Sequence, residues 1–359
     1  MQKTVFGTTE LWSALPSLSP LIFYGTGDGA DKIIAEMSRR GLSPDGFFAS
    51  DGFVRDRYFH GKKVMSLSEA EEKFGDFTVL MAFGSSRAEV MENVGKIMRR
   101  HRFFAPDVPV CGGELFDAEF YEKHAGEISL ARSLLSDELS KKTFDDIIKY
   151  KLSGDVSFLF DCECEKADAD ALLPHDFTAY IDLGAYTGDT VRDVLSRSRN
   201  LKKIVAFEPS EKPFSKLRDF CGGIKNAEFS LFNLCASSCS GEKLLSDGGG
   251  RGTKLSDAPS LSGAKPKTVK CAALDNVTDL SGEKLYIKYD VEGEEYAALC
   301  GSLRTIKSSD TSLLVSLYHR SADIFSLPIY IRSVLPEHKL YIRKLPGLPA
   351  WDVNLYVTK

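Results

Sequence analysis

Two segments of this chain each join a short apolar run to a glycine-rich turn and then to a helical pattern. The first is residues 21–24 followed by the turn 25–30, and the second is residues 179–183 followed by the turn 184–189. Strands that alternate with helices in this way are typical of a parallel sheet with helices on both faces. Because the two starts lie about 160 residues apart in a chain of 359, we expect two α/β domains.

The spacing of apolar residues between and after these two segments predicts the domain boundaries. A small Rossmann-like domain is predicted over residues 1–113. Apolar residues recur at helical spacing from 117 to 152, which predicts a helical connector over residues 114–176. The larger domain then covers residues 177–359. Two smaller expectations are an edge-like strand at 108–110 and an acidic loop at 161–176.

The larger domain shows five strand-like runs separated by helical patterns. These runs are residues 180–183, 203–207, 227–235, 285–289 and 312–318. Two further runs, at 340–345 and 353–357, have a loop rich in glycine and proline between them, which predicts an antiparallel hairpin. The predicted fold class is therefore α/β, with a class I methyltransferase (Rossmann-like) doubly wound sheet that ends in the hairpin, preceded by the smaller domain and the connector. Fold alone does not establish an activity.

Composition narrows the classes of partner. A net charge of -5 and a pI of about 5.8 argue against the basic surface that nucleic-acid binding needs. No run of 18 apolar residues predicts a membrane span, and the first twenty residues lack the pattern of a secretory signal. Eight scattered cysteines indicate reduced thiols, so a cytoplasmic location is expected. The oligomeric state cannot be read from the sequence.

The turn after residue 183 has the spacing G-x-x-x-G, and an acid, Asp182, stands two residues before its first glycine. A dinucleotide turn reads G-x-G-x-x-G and shapes the backbone for a pyrophosphate, which an acid would repel. An acid attracts a cationic amine instead, so the turn favours S-adenosylmethionine as the cofactor. The predicted cofactor-binding residues are Asp182, Gly184, Ala185, Tyr186, Thr187, Gly188, Asp189 and Glu208.

Glu208 belongs to this set because it ends the second strand, 20 residues past Gly188. A carboxylate at that position accepts hydrogen bonds from both ribose hydroxyls of an adenosine. The alternative interpretation is a surface glutamate before a proline turn.

The predicted catalytic residues are Asp290, Glu292 and His319. Asp290 ends the fourth strand, and three carboxylates within five residues, the third being Glu294, predict that one has a raised pKa and acts as a base. For Glu294 and Glu295 we favour acids that decorate a helix N-terminus. His319 ends the fifth strand and titrates near neutral pH, or else it only caps the sheet. Asp290, Glu292 and His319 are also types that ligate metals, but no spacing compels a metal and we assign none.

Taken together, residues 179–358 resemble the FkbM family of S-adenosylmethionine-dependent methyltransferases. The matching residues are Asp182 to Thr190, Phe207-Glu208-Pro209, Leu274-Asp275, Ile287 to Glu294 and Gly301. The resemblance implies a donor site at Asp182, Gly184, Gly188 and Glu208. It also implies O-methylation of a hydroxyl, often that of a sugar on a glycan or small metabolite, so the expected partner is a small-molecule or glycan acceptor.

The turn of the first domain, 25–30, fits G-x-G-x-x-A and has Asp51 about twenty residues further on. It resembles the N-terminal domain of PglD-type sugar acetyltransferases, which implies a nucleotide or nucleotide-sugar as a candidate ligand. The alternative for the turn is a tight strand–helix connection that binds nothing. The glycine-rich residues 248–252 are read as a flexible loop or a lid over the acceptor.

Two alternative functions stay open. The first is an NAD-dependent nucleotide-sugar oxidoreductase that uses the turn 25–30, although no Tyr-x-x-x-Lys pairing stands near that turn. The second is a catalytically inactive binding protein with a methyltransferase fold.

Overall fold

A computed structural model describes residues 2–50, 54, 56–246, 254–256 and 267–359. Asp51 and the glycine-rich residues 248–252 lie outside these ranges. Among the described helices, none is both long enough and apolar enough to cross a lipid bilayer.

The N-terminal domain is a small parallel sheet with helices packed on it. Its elements are β1 (Thr4–Val5), β2 (Thr8–Thr9), α1 (Leu11–Ala14), a 3₁₀ turn (Leu15–Ser17), β3 (Leu21–Tyr24), α2 (Asp28–Arg39), β4 (Gly46–Phe48), β5 (Tyr58–Phe59), β6 (Lys62–Met65), α3 (Leu67–Phe74), β7 (Thr78–Met81), α4 (Ala88–Met98) and β8 (Arg102–Phe104). The strand order is β5-β6-β4-β3-β7-β8, and every pair is parallel except β5 with β6. The carboxyl ends of β3 and β7 therefore meet at one edge of the sheet.

The edge-like strand predicted at 108–110 is wrong, because the edge strand is β8, a few residues earlier. Pro109 has no N–H to give to a ladder. The carbonyl groups of Pro109 and Val110 instead accept hydrogen bonds from Lys32 Nζ, at 3.2 and 2.6 Å.

Two long antiparallel helices dominate the middle of the chain. The elements are α5 (Ala118–Ser133), α6 (Glu138–Ser153), α7 (Ser157–Asp161) and α8 (Lys166–Asp170), and α8 falls within the stretch predicted as loop. Asp137 separates the long helices by capping α6, where its carboxylate accepts from Ser140 N at 2.7 Å. The pair touches both domains: Lys151 reaches Asp107 at 2.9 Å, and Arg343 reaches Asp137 at 2.6 Å.

The C-terminal domain carries the larger sheet. Its elements are β9 (Ala179–Leu183), α9 (Asp189–Val194), β10 (Lys203–Phe207), α10 (Glu211–Gly222), β11 (Glu228–Phe232), β12 (Cys235–Ala236), β13 (Gly241–Ser246), β14 (Lys254–Ser256), β15 (Lys267–Ala272), α11 (Leu274–Val277), β16 (Lys284–Tyr289), α12 (Glu295–Cys300), α13 (Leu303–Lys307), β17 (Asp310–Ser316), α14 (Asp323–Val334), β18 (Lys339–Lys344) and β19 (Val353–Thr358).

Seven of these strands form one sheet in the order β11-β10-β9-β16-β17-β19-β18. The first five are parallel, and β19 and β18 pair antiparallel at the end. The predicted fold class is confirmed: five parallel strands close with a hairpin. Strands β9, β16 and β19 are buried along their whole length or nearly so, as expected for a sheet covered on both faces.

The strand predicted at 227–235 is two strands, β11 and β12, in different sheets. The chain leaves the large sheet at Asn233, whose side-chain amide donates to the carbonyl oxygens of Glu208 and Pro209, at 2.8 and 3.1 Å. Strand β12 then joins a second sheet in the order β12-β15-β13-β14, which the sequence did not indicate.

Candidate functional site

A cavity of about 860 Å³ lies between the two domains. One wall carries the carboxyl ends of β9, β10 and β16, and the opposite wall carries the turn 26–29 and residues 83–86 of the N-terminal domain. Both glycine turns singled out by the sequence therefore face the same space. A cavity in this position is the usual ligand site of an open α/β sheet.

The turn after β9 forms the nearest part of that wall. Gly184 N and Ala185 N donate to the carbonyl oxygen of Phe207, at 3.1 and 2.9 Å, which ties the turn to the end of β10. Gly184 has a φ of +100°, and a Cβ there would collide with the carbonyl oxygen of Asp290. Only glycine allows the two strand ends to approach so closely.

The predicted cofactor residues divide into two groups by position. Gly184, Tyr186, Asp189 and Glu208 line the cavity. Asp182, Ala185, Thr187 and Gly188 are not among its lining residues. The turn thus borders the cavity through part of its residues only.

Asp182 has a different environment from the one the sequence suggested. Its side chain is 0% exposed, and its carboxylate accepts from the Thr190 hydroxyl and lies 3.3 Å from Lys288 Nζ. Lys288 also donates to the carbonyl oxygen of Gly184, at 3.2 Å. The acid is therefore neutralised by a lysine of the chain itself and holds the turn in place.

Glu208 lines the cavity although it is only 6% exposed. Its carboxylate accepts from Tyr186 N at 3.0 Å and from Ser210 N at 2.7 Å. Burial raises the pKa of Glu208, and these backbone hydrogen bonds oppose the rise. The alternative of a surface glutamate does not fit this position.

Asp290 follows β16 and reaches the same cavity. Its Oδ1 accepts from Ser316 Oγ and from the Tyr318 hydroxyl, each at 3.1 Å, and its Oδ2 lies 3.4 Å from Lys288 Nζ. Burial favours a raised pKa, but the charges of Lys288 and His319 and the two hydroxyl donors hold the pKa of Asp290 below its ordinary value. The raised pKa expected for one acid of this group is therefore not found at Asp290, which is ionised at neutral pH.

His319 lies within a group of carboxylates and is 1% exposed. Its Nδ1 is 2.9 Å from Glu295 Oε1, and its Nε2 is 3.5 Å from Glu292 Oε2 and 3.7 Å from Asp290 Oδ1. Burial lowers the pKa of His319, but these carboxylates, Glu295 first, outweigh it and raise the pKa to about 10. At neutral pH the ring is therefore a cation, in contrast to the expected titration near neutrality.

Glu292 stands at the border between the two domains. It has a φ of +53°, uncommon for a residue with a side chain, and its carboxylate lies 4.0 Å from Cys111 Sγ. The backbone N–H of Cys111 donates to the carbonyl oxygen of His319, at 3.1 Å. The predicted catalytic residues Asp290, Glu292 and His319 are thus brought together, and the N-terminal domain braces them.

The opposite wall is joined to the C-terminal hairpin by backbone pairing. Ser85 N donates to the Leu348 carbonyl oxygen at 2.7 Å, and Leu348 N donates to the Ser85 carbonyl oxygen at 3.0 Å. Trp351 lines the cavity beside Gly84 with 43% of its surface exposed. An exposed indole in a cleft offers a flat apolar face to a ligand.

Sequence reasoning missed two residues of this site. Lys288 was read only as part of a strand, although alternation places its side chain on the same side of the sheet as Asp290. The sequence predicts Glu295 as an acid at a helix N-terminus, yet it is 0% exposed and accepts from Val291 N at 2.9 Å besides bonding His319. No local pattern pairs Glu295 with a histidine 24 residues later.

Comparison with known proteins agrees with this architecture. Residues 182–342 match the family model described as the Methyltransferase FkbM domain. The crystal structure of Methyltransferase FkbM from Methylobacillus flagellatus KT superimposes with a TM-score of 0.69 at 19% identity, over 95% of this chain and 90% of that one. That likeness shows a shared fold across both domains. Among curated proteins, none matches the chain significantly.

Two other solved structures cover little more than half of this chain. The precorrin-6y C5,15-methyltransferase from Geobacter metallireducens GS-15 has 11% identity and a TM-score of 0.33, over 55% of this chain and 94% of its own. A SAM dependent methyltransferase from Aquifex aeolicus has 10% identity and a TM-score of 0.30, over 56% and 97%.

The sheet order, the match to the fold of the Methylobacillus flagellatus KT structure and the match to the family model show a Rossmann-like fold of the methyltransferase type. Residues 182–342, a little under half of the chain, are similar in sequence to the FkbM methyltransferase domain.

Proposed function

We propose that this chain is an S-adenosylmethionine-dependent O-methyltransferase that acts on a hydroxyl of a sugar or glycan. The observation that carries the proposal is the shared cavity, which Gly184, Glu208, Asp290 and His319 all line. The turn at Gly184 and Glu208, which we propose bind the nucleoside, and the carboxylate of Asp290 border this one cavity. The family match supports methyl transfer as the chemistry.

The wall fits such a cofactor in chemical terms. The Glu208 carboxylate is held toward the cavity by two backbone N–H groups and is suited to accept from ribose hydroxyls. Asp189 adds negative charge beside the turn, which suits a ligand with a positive sulfur. When bound, S-adenosylmethionine supplies a methyl group that is already activated on a sulfonium.

The remaining task of the chain is to align and deprotonate an acceptor hydroxyl. Asp290 and Glu292 supply the carboxylates that bind the hydroxyl and receive its proton. His319 is a cation and does not serve as the base. It orients the two carboxylates instead, and Trp351 offers an apolar face on which a sugar ring stacks.

The proposal is tested in two steps with the full chain. Calorimetry with S-adenosylhomocysteine should show one binding site per chain, and no detectable heat removes the proposal. A screen of sugars and glycans with labelled S-adenosylmethionine should then yield a labelled methyl ether. Asp290→Asn should abolish transfer while keeping the S-adenosylhomocysteine heat, with Asp219→Asn, an exposed residue of α10 outside the cavity lining, as the matched control. Cofactor binding without transfer to any hydroxyl would favour an inactive binding protein.

A further inference from the structure

Two buried cysteines face each other in the second sheet of the C-terminal domain. Strands β12 and β15 are parallel, and their register pairs Cys235 directly with Cys271. Residues paired in this way point to the same face of a sheet, and neighbouring strands are about 4.8 Å apart. The two Cα atoms of a disulfide are usually about 4.4–6.8 Å apart. The spacing of the two strands therefore allows a bond between these residues.

The two side chains are also in contact. Cys235 is 1% exposed and Cys271 is 5% exposed, and together with Val269 they form a small apolar cluster separate from the main cores. Both thiols are free. Hydrogen bonding with Cys235 lowers the pKa of the Cys271 thiol, whereas the same interaction and burial raise the pKa of Cys235. Cys271 is thus the thiol that ionises first, and the thiolate is the reactive form.

One of the two thiols borders the cavity between the domains. Cys235 is among the lining residues, together with its neighbours Leu234 and Ala236. Cys162 and Cys221 are buried as well, but they are not among the lining residues. A small molecule in the cavity therefore reaches the pair through Cys235, although both sulfurs are shielded from bulk solvent.

We propose that Cys235 and Cys271 form a reversible disulfide when a hydroperoxide enters the cavity, so that the cavity wall carries an oxidation-sensitive site. This inference goes beyond the proposed function and does not depend on it. Two thiols are oxidised, and the peroxide is reduced, in the case of hydrogen peroxide to two molecules of water. A small thiol such as glutathione reverses the reaction by exchange.

The bond forms in two steps. The Cys271 thiolate attacks one oxygen of the peroxide, so that an S–O bond forms and the O–O bond breaks. The leaving oxygen takes up a proton, and Cys271 becomes a sulfenic acid. The sulfur of Cys235 then attacks that of Cys271, so that the S–S bond forms and the S–O bond breaks. The hydroxide that leaves takes the thiol proton of Cys235 and departs as water.

The test uses the full chain and hydrogen peroxide. After oxidation, the remaining thiols are alkylated and the chain is digested without reductant. Mass spectrometry should find one peptide pair crosslinked through Cys235 and Cys271, and dithiothreitol should release it. The proposal is overturned if both thiols stay open to alkylation, if they are oxidised without a crosslink, or if Cys235 is crosslinked to a different cysteine.

Three serine variants sharpen the result, and thermal unfolding verifies that each is folded. Cys271→Ser should give no crosslink at Cys235. Cys221→Ser is the matched control, because Cys221 is buried on α10 outside the cavity lining, and it should form the crosslink at the original rate. Cys239→Ser removes an exposed thiol close to Cys235 in sequence and should also form it. Loss of the crosslink in Cys239→Ser would show exchange through Cys239 and overturn direct bond formation.

A ligand in the cavity tests the route of the oxidant, and this experiment alone rests on the proposed function. S-adenosylhomocysteine, at a concentration that gives calorimetric heat, should slow the crosslinking several-fold because it fills the space beside Cys235. Heat with an unchanged rate of crosslinking would overturn the route through the cavity. Absence of heat would remove the proposed function, and the crosslink in the unaltered chain would still decide whether the disulfide forms.

Discussion

Lys288 and Asp182 are direct neighbours across β16 and β9, and their side chains form a buried ion pair with Nζ 3.3 Å from Oδ1. The pair lies immediately behind the turn at Gly184. Burial disfavours the charged lysine, yet Asp182 and Asp290 raise the pKa of Lys288 above its ordinary value. One ammonium thus links the buried acid of β9 to the acid that follows the neighbouring strand, β16.

Replacement of Lys288 by methionine should destabilise the fold strongly. It leaves the carboxylate of Asp182 buried without its cation, a change that typically costs about 3–5 kcal/mol. Urea unfolding measures the loss. Lys284→Met is the matched control, because Lys284 lies on the same strand in an exposed pair with Asp176 at 2.6 Å. It should cost much less, and equal losses would show that the buried pair has no special role.

The affinity for S-adenosylhomocysteine should fall on acidification through Glu208. The ionised carboxylate is the form that accepts from ribose hydroxyls, and burial raises the pKa of Glu208. Affinity should therefore be full above that raised pKa and decline at a pH where an ordinary glutamate is still ionised. Calorimetry across an acidic pH series measures the decline.

The Glu208→Gln variant distinguishes a loss of affinity caused by protonation of Glu208 from one caused by acid unfolding. The variant should bind about 10- to 100-fold more weakly at neutral pH, since hydrogen bonds to a charged group are worth about 1.5–3 kcal/mol each. Its affinity should also be flat over the same pH series. Glu211→Gln, an exposed residue paired with Lys267 at 2.8 Å, should keep the original profile. A Glu208→Gln profile with the same decline would contradict the assignment.

Gly184→Ala should distort both the turn after β9 and the backbone at Asp290. The added Cβ collides with the Asp290 carbonyl oxygen, and the φ of +100° strains any residue with a side chain. Both binding of S-adenosylhomocysteine and stability should fall. Gly282→Ala measures the cost of backbone strain without a steric collision, because Gly282 has a φ of +79° and nothing lies near its Cβ position. That control should lose about 1–2 kcal/mol in urea unfolding and keep cofactor binding.

Much of the fold was predictable because the apolar runs that form the larger sheet are bounded by glycines and acids. Strands β9, β10, β16 and β17 follow those runs closely, and the hairpin is marked by the glycine and proline between β18 and β19. Strands β13 and β15 were missed because their six residues form neither a continuous apolar run nor a regular alternation of polar and apolar residues, and β12 has only two residues. Their pairing depends on contacts made far along the chain.

The sequence predicted several residues of the candidate site but not the ion pairs and hydrogen bonds that connect them. Asp290, Glu292 and His319 were identified because each follows the end of a strand. The partners that set their charge are long-range: Lys288 meets Asp182 through sheet register, and His319 meets Glu295 through the packing of α12. These contacts raise the pKa of His319 above the near-neutral value expected from the sequence, and they engage Asp182 with Lys288 outside the cavity lining.

The junction between the two domains can be tested through Trp351. The chain has two tryptophans, and Trp12 is buried in the N-terminal domain, so Trp12→Phe leaves Trp351 as the sole tryptophan, whose emission is followed by selective tryptophan excitation. A Cβ at Gly84 would overlap the Trp351 ring. Gly84→Ala in this background should therefore displace the indole and shift its emission. Gly95 lies within α4, and a Cβ there would be 3.9 Å from the Arg99 guanidinium, an ordinary contact distance. Gly95→Ala should therefore leave the emission unchanged and raise stability by about 0.5–1 kcal/mol. An unchanged spectrum in Gly84→Ala would mean that the hairpin does not rest on the N-terminal domain in solution, and the cavity would then lack the wall on which the proposed acceptor site depends.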